Sequence, residues 1–265
     1  MIVHSWQELL DQGVDKNSQP SVATIGVFDG LHIGHMELLR RVIAQAPRLQ
    51  SVAITFKDNP KKSTRLHKPS GNLISLDQKL ELMKDAGIQV CVLIDFSPNF
   101  SKMGGYDFIS ILVKSCGVHT FVIGSDFKCG YRLSTDALGV EQIARNLGSV
   151  AEIVDPVHLD GNVVSSSRIR ASISEGRMDQ ALAMLGRPYT LDFRSVRLGH
   201  NKGKVVASIP LMGAVVPPPG SYAVELVDGD TTYPAIALVG ADGTLSWVQM
   251  EANEPQFMHF HKYIV

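Results

Sequence analysis

Val22-Ala23-Thr24-Ile25-Gly26-Val27-Phe28-Asp29-Gly30-Leu31-His32-Ile33-Gly34-His35 is the stretch whose reading decides the fold of this chain. An apolar run, Val22 to Val27, leads into a glycine-rich turn, and a helical pattern begins near Met36. A strand, a loop and a helix N-terminus in that order aim backbone N–H groups and the positive end of a helix dipole at an anion. His32 and His35 sit three apart in the turn, and Gly34 between them leaves the backbone open to close approach. Gly26, Phe28, Asp29 and Gly30 complete the cradle. Imidazoles so placed donate hydrogen bonds to phosphate oxygens and stabilise charge building up at a reacting phosphorus. The plain alternative is a loop that happens to carry histidines. Two at this spacing, after a strand and beside three glycines, favour a nucleotide-phosphate site. Zinc is disfavoured because no Cys or carboxylate at ligand spacing completes a set, so metal ligands stay unassigned.

Outward from the turn, strand-like and helix-like segments alternate. Strands are expected at Val22–Val27, Val52–Phe56, Val90–Ile94, Thr120–Ile123 and Ala151–Val154. Helices are expected at Met36–Ala46, Tyr106–Ser115 and Asp136–Asn146, and Ser75-Leu76-Asp77-Gln78 reads as a capping box opening a helix to about Ala86. Such a series implies an α/β, Rossmann-like parallel sheet with helices on both faces. Ligands of such sheets lie at the carboxyl ends of the strands, where the histidine turn falls. Between Lys57 and Asn72 the pattern breaks into a basic loop with Lys61, Lys62, Arg65, His67 and Lys68, either a solvated loop or a lid that attracts an anionic substrate.

After a helix at Asp179–Leu185 the character changes. Gly186-Arg187-Pro188 punctuates the chain, and short alternating runs follow, with turn signals at Asp228-Gly229 and Asp242-Gly243. Strands are expected at Ala223–Val227 and Ala235–Val239. Two domains are therefore expected, residues 1–187 and a small β-barrel-like domain at 188–265. The chain of 265 residues is 45% hydrophobic and 19% charged, ordinary for a globular protein. A formal net charge of −1 argues against a general nucleic-acid binder. The three cysteines form no CxxC pair. A reducing compartment, the cytoplasm, is expected, with neither a secretory leader nor a membrane span.

Two further constellations belong to the first domain. Gly124-Ser125-Asp126-Phe127 follows an apolar strand, so Asp126 could hold a ribose or substrate hydroxyl and Phe127 could wall a pocket; a turn with a core Phe is the plain alternative. Ser165-Ser166-Ser167-Arg168-Ile169-Arg170 opens a helix. One serine would suffice as an N-cap, whereas three serines with Arg168 and Arg170 suit a clamp for a polyphosphate. The parts handle phosphate without an obvious nucleophile, as in a reaction where one phosphate attacks another and the protein supplies position and charge neutralisation.

The HxGH turn, the GxDFxxG loop and the SSSxIR segment together resemble the nucleotidyltransferase superfamily, and most closely the prokaryotic bifunctional riboflavin kinase and FAD synthetase family. Gly176-Arg177 through Leu185-Gly186-Arg187-Pro188-Tyr189 resembles that family's domain junction. The resemblance implies an FMN adenylyltransferase: the FMN phosphate attacks the α-phosphate of ATP, giving FAD and pyrophosphate with Mg²⁺ assisting. By it, His32 and His35 contact ATP phosphates, Ser166, Ser167 and Arg170 hold the leaving pyrophosphate, and Asp126 helps position the nucleotide. The second domain departs from the family. Where a Pro-Thr-Ala-Asn motif is expected, between Gly203-Lys204 and Pro219-Gly220-Ser221-Tyr222, the chain reads Val205-Val206-Ala207-Ser208-Ile209-Pro210. The acidic kinase base has no convincing counterpart, Glu251 and Glu254 lacking the surrounding pattern. Loss of kinase activity is the expectation; a retained kinase and a non-catalytic flavin or nucleotide sensor are the alternatives. Aminoacyl-tRNA synthetase and pantetheine-phosphate or cytidylyl transferase readings share the histidine turn but not the attached β domain. Oligomeric state is not legible.

Overall fold

A computed structural model describes residues 1–13, 19–46, 48–58, 71–201, 203–248 and 255–264. The basic residues 61–68 and both Glu251 and Glu254 lie outside them. In chain order the elements are β1 (Ile2–Ser5), α1 (Trp6–Gln12), β2 (Ser21–Ile25), α2 (Ile33–Gln45), β3 (Gln50–Phe56), α3 (Leu76–Asp85), β4 (Val90–Ile94), α4 (Gly105–Cys116) and β5 (Val118–Gly124). There follow β6 (Lys128–Cys129), β7 (Thr135–Asp136), α5 (Ala137–Asn146), β8 (Val150–Val154), β9 (His158–Leu159), β10 (Asn162–Val163), α6 (Ser166–Ser174) and α7 (Met178–Leu185). The last are β11 (Tyr189–Asp192), β12 (Gly199–Asn201), β13 (Lys204–Ser208), β14 (Gly220–Asp228), β15 (Thr231–Val239), β16 (Thr244–Val248) and β17 (Phe257–Tyr263). No helix of the described residues is long and apolar enough to cross a membrane.

The chain divides into two compact units. The first, Met1–Phe28, Gly34–Thr64 and Leu80–His158, holds a six-stranded sheet in the order β1-β4-β3-β2-β5-β8. Its strands pair parallel throughout. The expected strands and helices all occur, within a few residues of their expected ends. The central strands are apolar runs buried on both faces, as in β2, where all five residues are buried. Sequence reading missed β1 and α1. Ser5 and Glu8 close a capping box there, and Trp6 packs its ring 5.7 Å from Phe108. Because β2 is followed outward by β3 on one side and β5 on the other, strand order reverses between β2 and β5. Ligands of open α/β sheets bind at the carboxyl ends of strands at such a reversal.

The second unit, Asp29–Ile33, Arg65–Lys79 and Leu159–Val265, carries a seven-stranded antiparallel sheet in the order β11-β17-β14-β15-β16-β13-β12. The sheet is barrel-like: Tyr189 and Tyr222 each pack against Phe260, and Phe193 stacks on Trp247. The Asp228-Gly229 signal is realised in the hairpin β14–β15, closed by Asp228 opposite Thr231 with Gly229 at φ 56°. Asp29–Ile33 of the histidine turn, α6 and α7 also belong to this second unit. Within this unit Asn72 bridges to Ala214. Gly71 is required there, because a Cβ would lie 2.1 Å from the Ala214 backbone.

Candidate nucleotidyl-transfer site

In the first unit the site elements gather at the β2/β5 reversal. Beyond β2, the Gly26 N–H donates to the Ile54 carbonyl (3.0 Å), and the Thr55 hydroxyl donates to the Val27 carbonyl (3.2 Å), so the strand end is held from β3. Phe28 is buried at a positive φ of 51°, and its ring meets the His35 ring edge-on at 5.2 Å. The helix α2 begins at Ile33 rather than near Met36, so His35 stands inside the first turn of the helix. Its N-terminal N–H groups and dipole therefore act where His35 projects. At the neighbouring end of β5, the Phe127 N–H closes a turn onto the Gly124 carbonyl (3.0 Å). That turn leaves Asp126 exposed and Phe127 partly buried against the unit's core.

The second unit holds Asp29 to Ile33, and here the turn is pinned carbonyl by carbonyl. The Ser166 hydroxyl donates to the Asp29 carbonyl (2.7 Å). The Arg187 guanidinium donates to the carbonyls of Gly30 (2.6 Å), Leu31 (3.1 Å) and Leu185 (3.2 Å). The Asp29 carboxylate accepts the Leu73 N–H (2.9 Å) and pairs with the Arg170 guanidinium, which also donates to the Gly71 carbonyl (3.0 Å). Gly30 at φ 88° and Leu31 at φ 37° are left-handed, and Leu31 is fully buried. Non-glycine residues persist in that region only where surroundings over-determine them, each at a cost of about 1–3 kcal/mol. Gly30 also has no room for a side chain, a Cβ there lying 2.8 Å from the Leu73 side chain.

His32 is 5% exposed. Burial first, and the Arg187 charge second, lower its imidazole pKa to about 4, so it is neutral at pH 7. Burial alone brings Arg187 down to about 10, still cationic at neutral pH. The site thus presents a neutral imidazole beside a desolvated cation, a field suited to an anionic group.

The α6 residues divide by role. Ser165 is the N-cap, accepting the Arg168 N–H (3.3 Å), the plain reading of that serine. Arg168 donates to the carbonyls of Leu159, Asn162 and Val163, bracing the β9–β10 segment. Ser166 and Arg170, expected as pyrophosphate ligands, hold the turn in this structure, and Ser167 is exposed at the helix start. Sequence reading passed over Arg187 as punctuation. Its partners lie 157 and 156 residues away, and no local signal marks such a contact. Among the described residues, no three His, Cys, Asp or Glu side chains gather to hold a metal ion, and the Asp29 carboxylate is already engaged. The Mg²⁺ that the family resemblance implies is assigned no protein ligand among these residues. Such ions are commonly carried on the substrate's phosphates.

The end of β2 and the histidine-bearing start of α2 thus lie at the strand-order reversal of a parallel sheet. The FAD synthetase family model matches residues 14–168, more than half of the chain. The chain belongs to the FAD synthetase family and is, as such, an enzyme, an FMN adenylyltransferase. It is 27% identical over 237 residues to the bifunctional riboflavin kinase/FMN adenylyltransferase of Escherichia coli strain K12, covering 87% of this chain and 76% of that one. It is likewise 27% identical over 262 residues to the protein of that description from Listeria monocytogenes serovar 1/2a, covering 96% and 82%. For that of Pseudomonas fluorescens the figures are 28% over 232 residues, 85% and 74%. A crystal structure described as a macrolide-efflux protein from Streptococcus pneumoniae matches with a TM-score of 0.85 at 23% identity. It covers all of this chain and 91% of that one, and at that identity it speaks for the fold alone.

Proposed function

We propose that this protein makes FAD from FMN and ATP and has no riboflavin kinase activity. The observation that carries the first half is the histidine turn at the β2/β5 reversal, with His35 in the first turn of α2. A phosphate oxygen of FMN attacks the α-phosphorus of ATP. A new P–O bond forms, the bond from that phosphorus to the bridging oxygen breaks, and pyrophosphate leaves with the electron pair. A phosphate monoester carries its second negative charge above about pH 6, so the nucleophile needs no protein base near neutrality. Catalysis then rests on position and charge. In this reading His32 and His35 donate to oxygens of the reacting phosphates, and the N–H groups at the start of α6, with Ser166, Ser167 and Arg170, receive the leaving pyrophosphate. The Gly124–Phe127 turn, Asp126 above all, holds the nucleoside, and Mg²⁺ arrives on ATP and offsets phosphate charge.

The second half rests on β13. Val205, Ala207 and Ile209 are buried core, and the residues facing the other way are Lys204, Val206 and Ser208. This strand offers one hydroxyl where the family's kinase motif supplies Thr and Asn. Residues 1–187 are then the adenylyltransferase region and 188–265 a relict kinase-like domain, and the enzyme acts in the cytoplasm on FMN made elsewhere.

The test is product analysis with ATP and Mg²⁺ in two reactions, one with FMN and one with riboflavin, each resolved by chromatography. FAD from FMN with no FMN from riboflavin is the expected result. FMN appearing from riboflavin would overturn the single-function reading, and no FAD from FMN would overturn the adenylyltransferase assignment.

A further inference from the structure

We propose that Arg187 is a positioning residue of adenylyl transfer: its guanidinium grips the carbonyls of Gly30 and Leu31 and so fixes the left-handed turn that presents His32. The inference rests on the function proposed above. Arg187 lies outside the residues 14–168 matched by the family model, in a segment whose sequence reads only as a domain junction.

The physical case starts from the backbone. Gly30 and Leu31, at φ 88° and 37°, lie outside the backbone ranges of strand and helix, and both residues are buried. Buried carbonyls require donors. A guanidinium presents five N–H groups in a rigid plane and can span consecutive carbonyls from fixed positions, whereas an ammonium offers three donors from a single point. Arg187 does this, and with a third bond to the Leu185 carbonyl it ties the turn to the end of α7. Ser166 takes the preceding carbonyl, Asp29, so three successive carbonyls of the turn accept from side chains. Loosening two of the three lets the turn relax toward ordinary φ values, and His32 moves with it. Misplacement of a catalytic group by about 1 Å costs on the order of 10²-fold in rate.

Arg187→Met, Arg187→Lys and the parent are compared in the full-length protein. Met keeps the stem and removes every donor, while Lys keeps the charge but not the fork. The expected result for Arg187→Met is a kcat for FAD formation lowered by about 10–100-fold, with KM for ATP and FMN within a few-fold of the parent. Arg187→Lys should recover part of the loss. A second readout needs no substrate. The His32 ring is followed by NMR titration, assigned by its loss in His32→Gln, and it should titrate at higher pH in Arg187→Met because the neighbouring positive charge is gone. A folded Arg187→Met with kcat within twofold of the parent, or one whose defect lies wholly in KM, would overturn the proposal. Should Arg187→Met fail to fold, the Lys variant decides: full parental kcat would refute the need for the fork. If the parent itself makes no FAD, the functional reading fails. The ring titration then still decides whether Arg187 sets His32, an unchanged His32 titration counting against it.

Discussion

The histidine turn and strand β13 are built in opposite ways. The turn is irregular: Phe28 and Leu31 are two of the five non-glycine residues with positive φ among the described residues. Its carbonyls are held by side chains from far along the sequence. Strand β13 is regular, paired residue for residue with β16 from Lys204 opposite Val248 to Ser208 opposite Thr244. The antiparallel sheet contains no non-glycine residue at positive φ among those described. A regular ladder satisfies its own N–H and C=O groups and leaves little backbone for a ligand. A strained turn must be held by its surroundings, and holding it is worthwhile where the geometry serves chemistry. The contrast is between a backbone held by remote side chains and one that satisfies itself in a ladder.

The largest effect expected from breaking this arrangement is at the Asp29–Arg170 pair, whose side chains are 7% and 13% exposed. Arg170→Met strands the carboxylate in a buried site, which costs about 3–5 kcal/mol. The thermal midpoint should fall sharply, and the Asp29→Asn, Arg170→Met double variant should recover part of it. An unchanged midpoint for the single variant would mean the pair does not hold the turn. Comparable in size, but on rate rather than stability, His35→Ala or His32→Ala should cut FAD formation by about 10²–10³-fold while circular dichroism stays that of the parent. Near-normal turnover would remove the histidines from the mechanism.

Next comes pH. His32 has a folded-state pKa of about 4 against 6.5 for an ordinary imidazole, mainly because it is buried. Above about pH 6.5 both folded and unfolded chains leave it neutral, and it contributes no pH dependence. As pH falls from 6.5 toward 4, the unfolded chain takes the proton and the folded one does not. Stability is lost over that window at up to about 1.4 kcal/mol per pH unit and levels off below it. Urea midpoints at pH 7, 5.5 and 4.5, compared with those of His32→Gln, check this. Identical slopes in the two proteins would show that His32 is not the group responsible.

Much of the fold was legible because the parallel sheet is buried on both faces. Runs such as Val90–Ile94 and Thr120–Ile123 stand out as largely apolar strands. The capping box at Ser75 and Gln78 forms as read, each residue's N–H bonding the other's side chain at 2.9 and 3.1 Å. The contacts of the candidate site residues were not legible. A serine hydroxyl or an arginine fork serves a phosphate oxygen and a backbone carbonyl equally well, so sequence cannot say that Ser166 and Arg170 reach Asp29. The start of α2 was set three residues late because glycine in His32-Ile33-Gly34-His35 reads as loop, whereas the first turn of a helix tolerates it. Arg187 escaped because its partners are remote in sequence and carry no side-chain signature, being carbonyls.

The smallest expected effect sharpens the contrast most. Setting Ala207 against the alanine of the family's Pro-Thr-Ala-Asn motif places Val206 and Ser208 where that motif has Thr and Asn. Both side chains lie on the half-buried face of β13, away from the core. Val206→Thr with Ser208→Asn should therefore shift stability by no more than about 0.5 kcal/mol, the usual range for substitutions outside the core. Regular strand geometry supplies neither strained backbone nor convergent donors for a phosphate, so restoring two side chains should yield no FMN from riboflavin and ATP. Turnover by the double variant would mean that two side chains on a regular strand are sufficient for kinase chemistry, and that the turn's irregular backbone is not what separates the two regions. No turnover, with FAD synthesis intact, would tie phosphate chemistry in this molecule to the held backbone between Phe28 and His35.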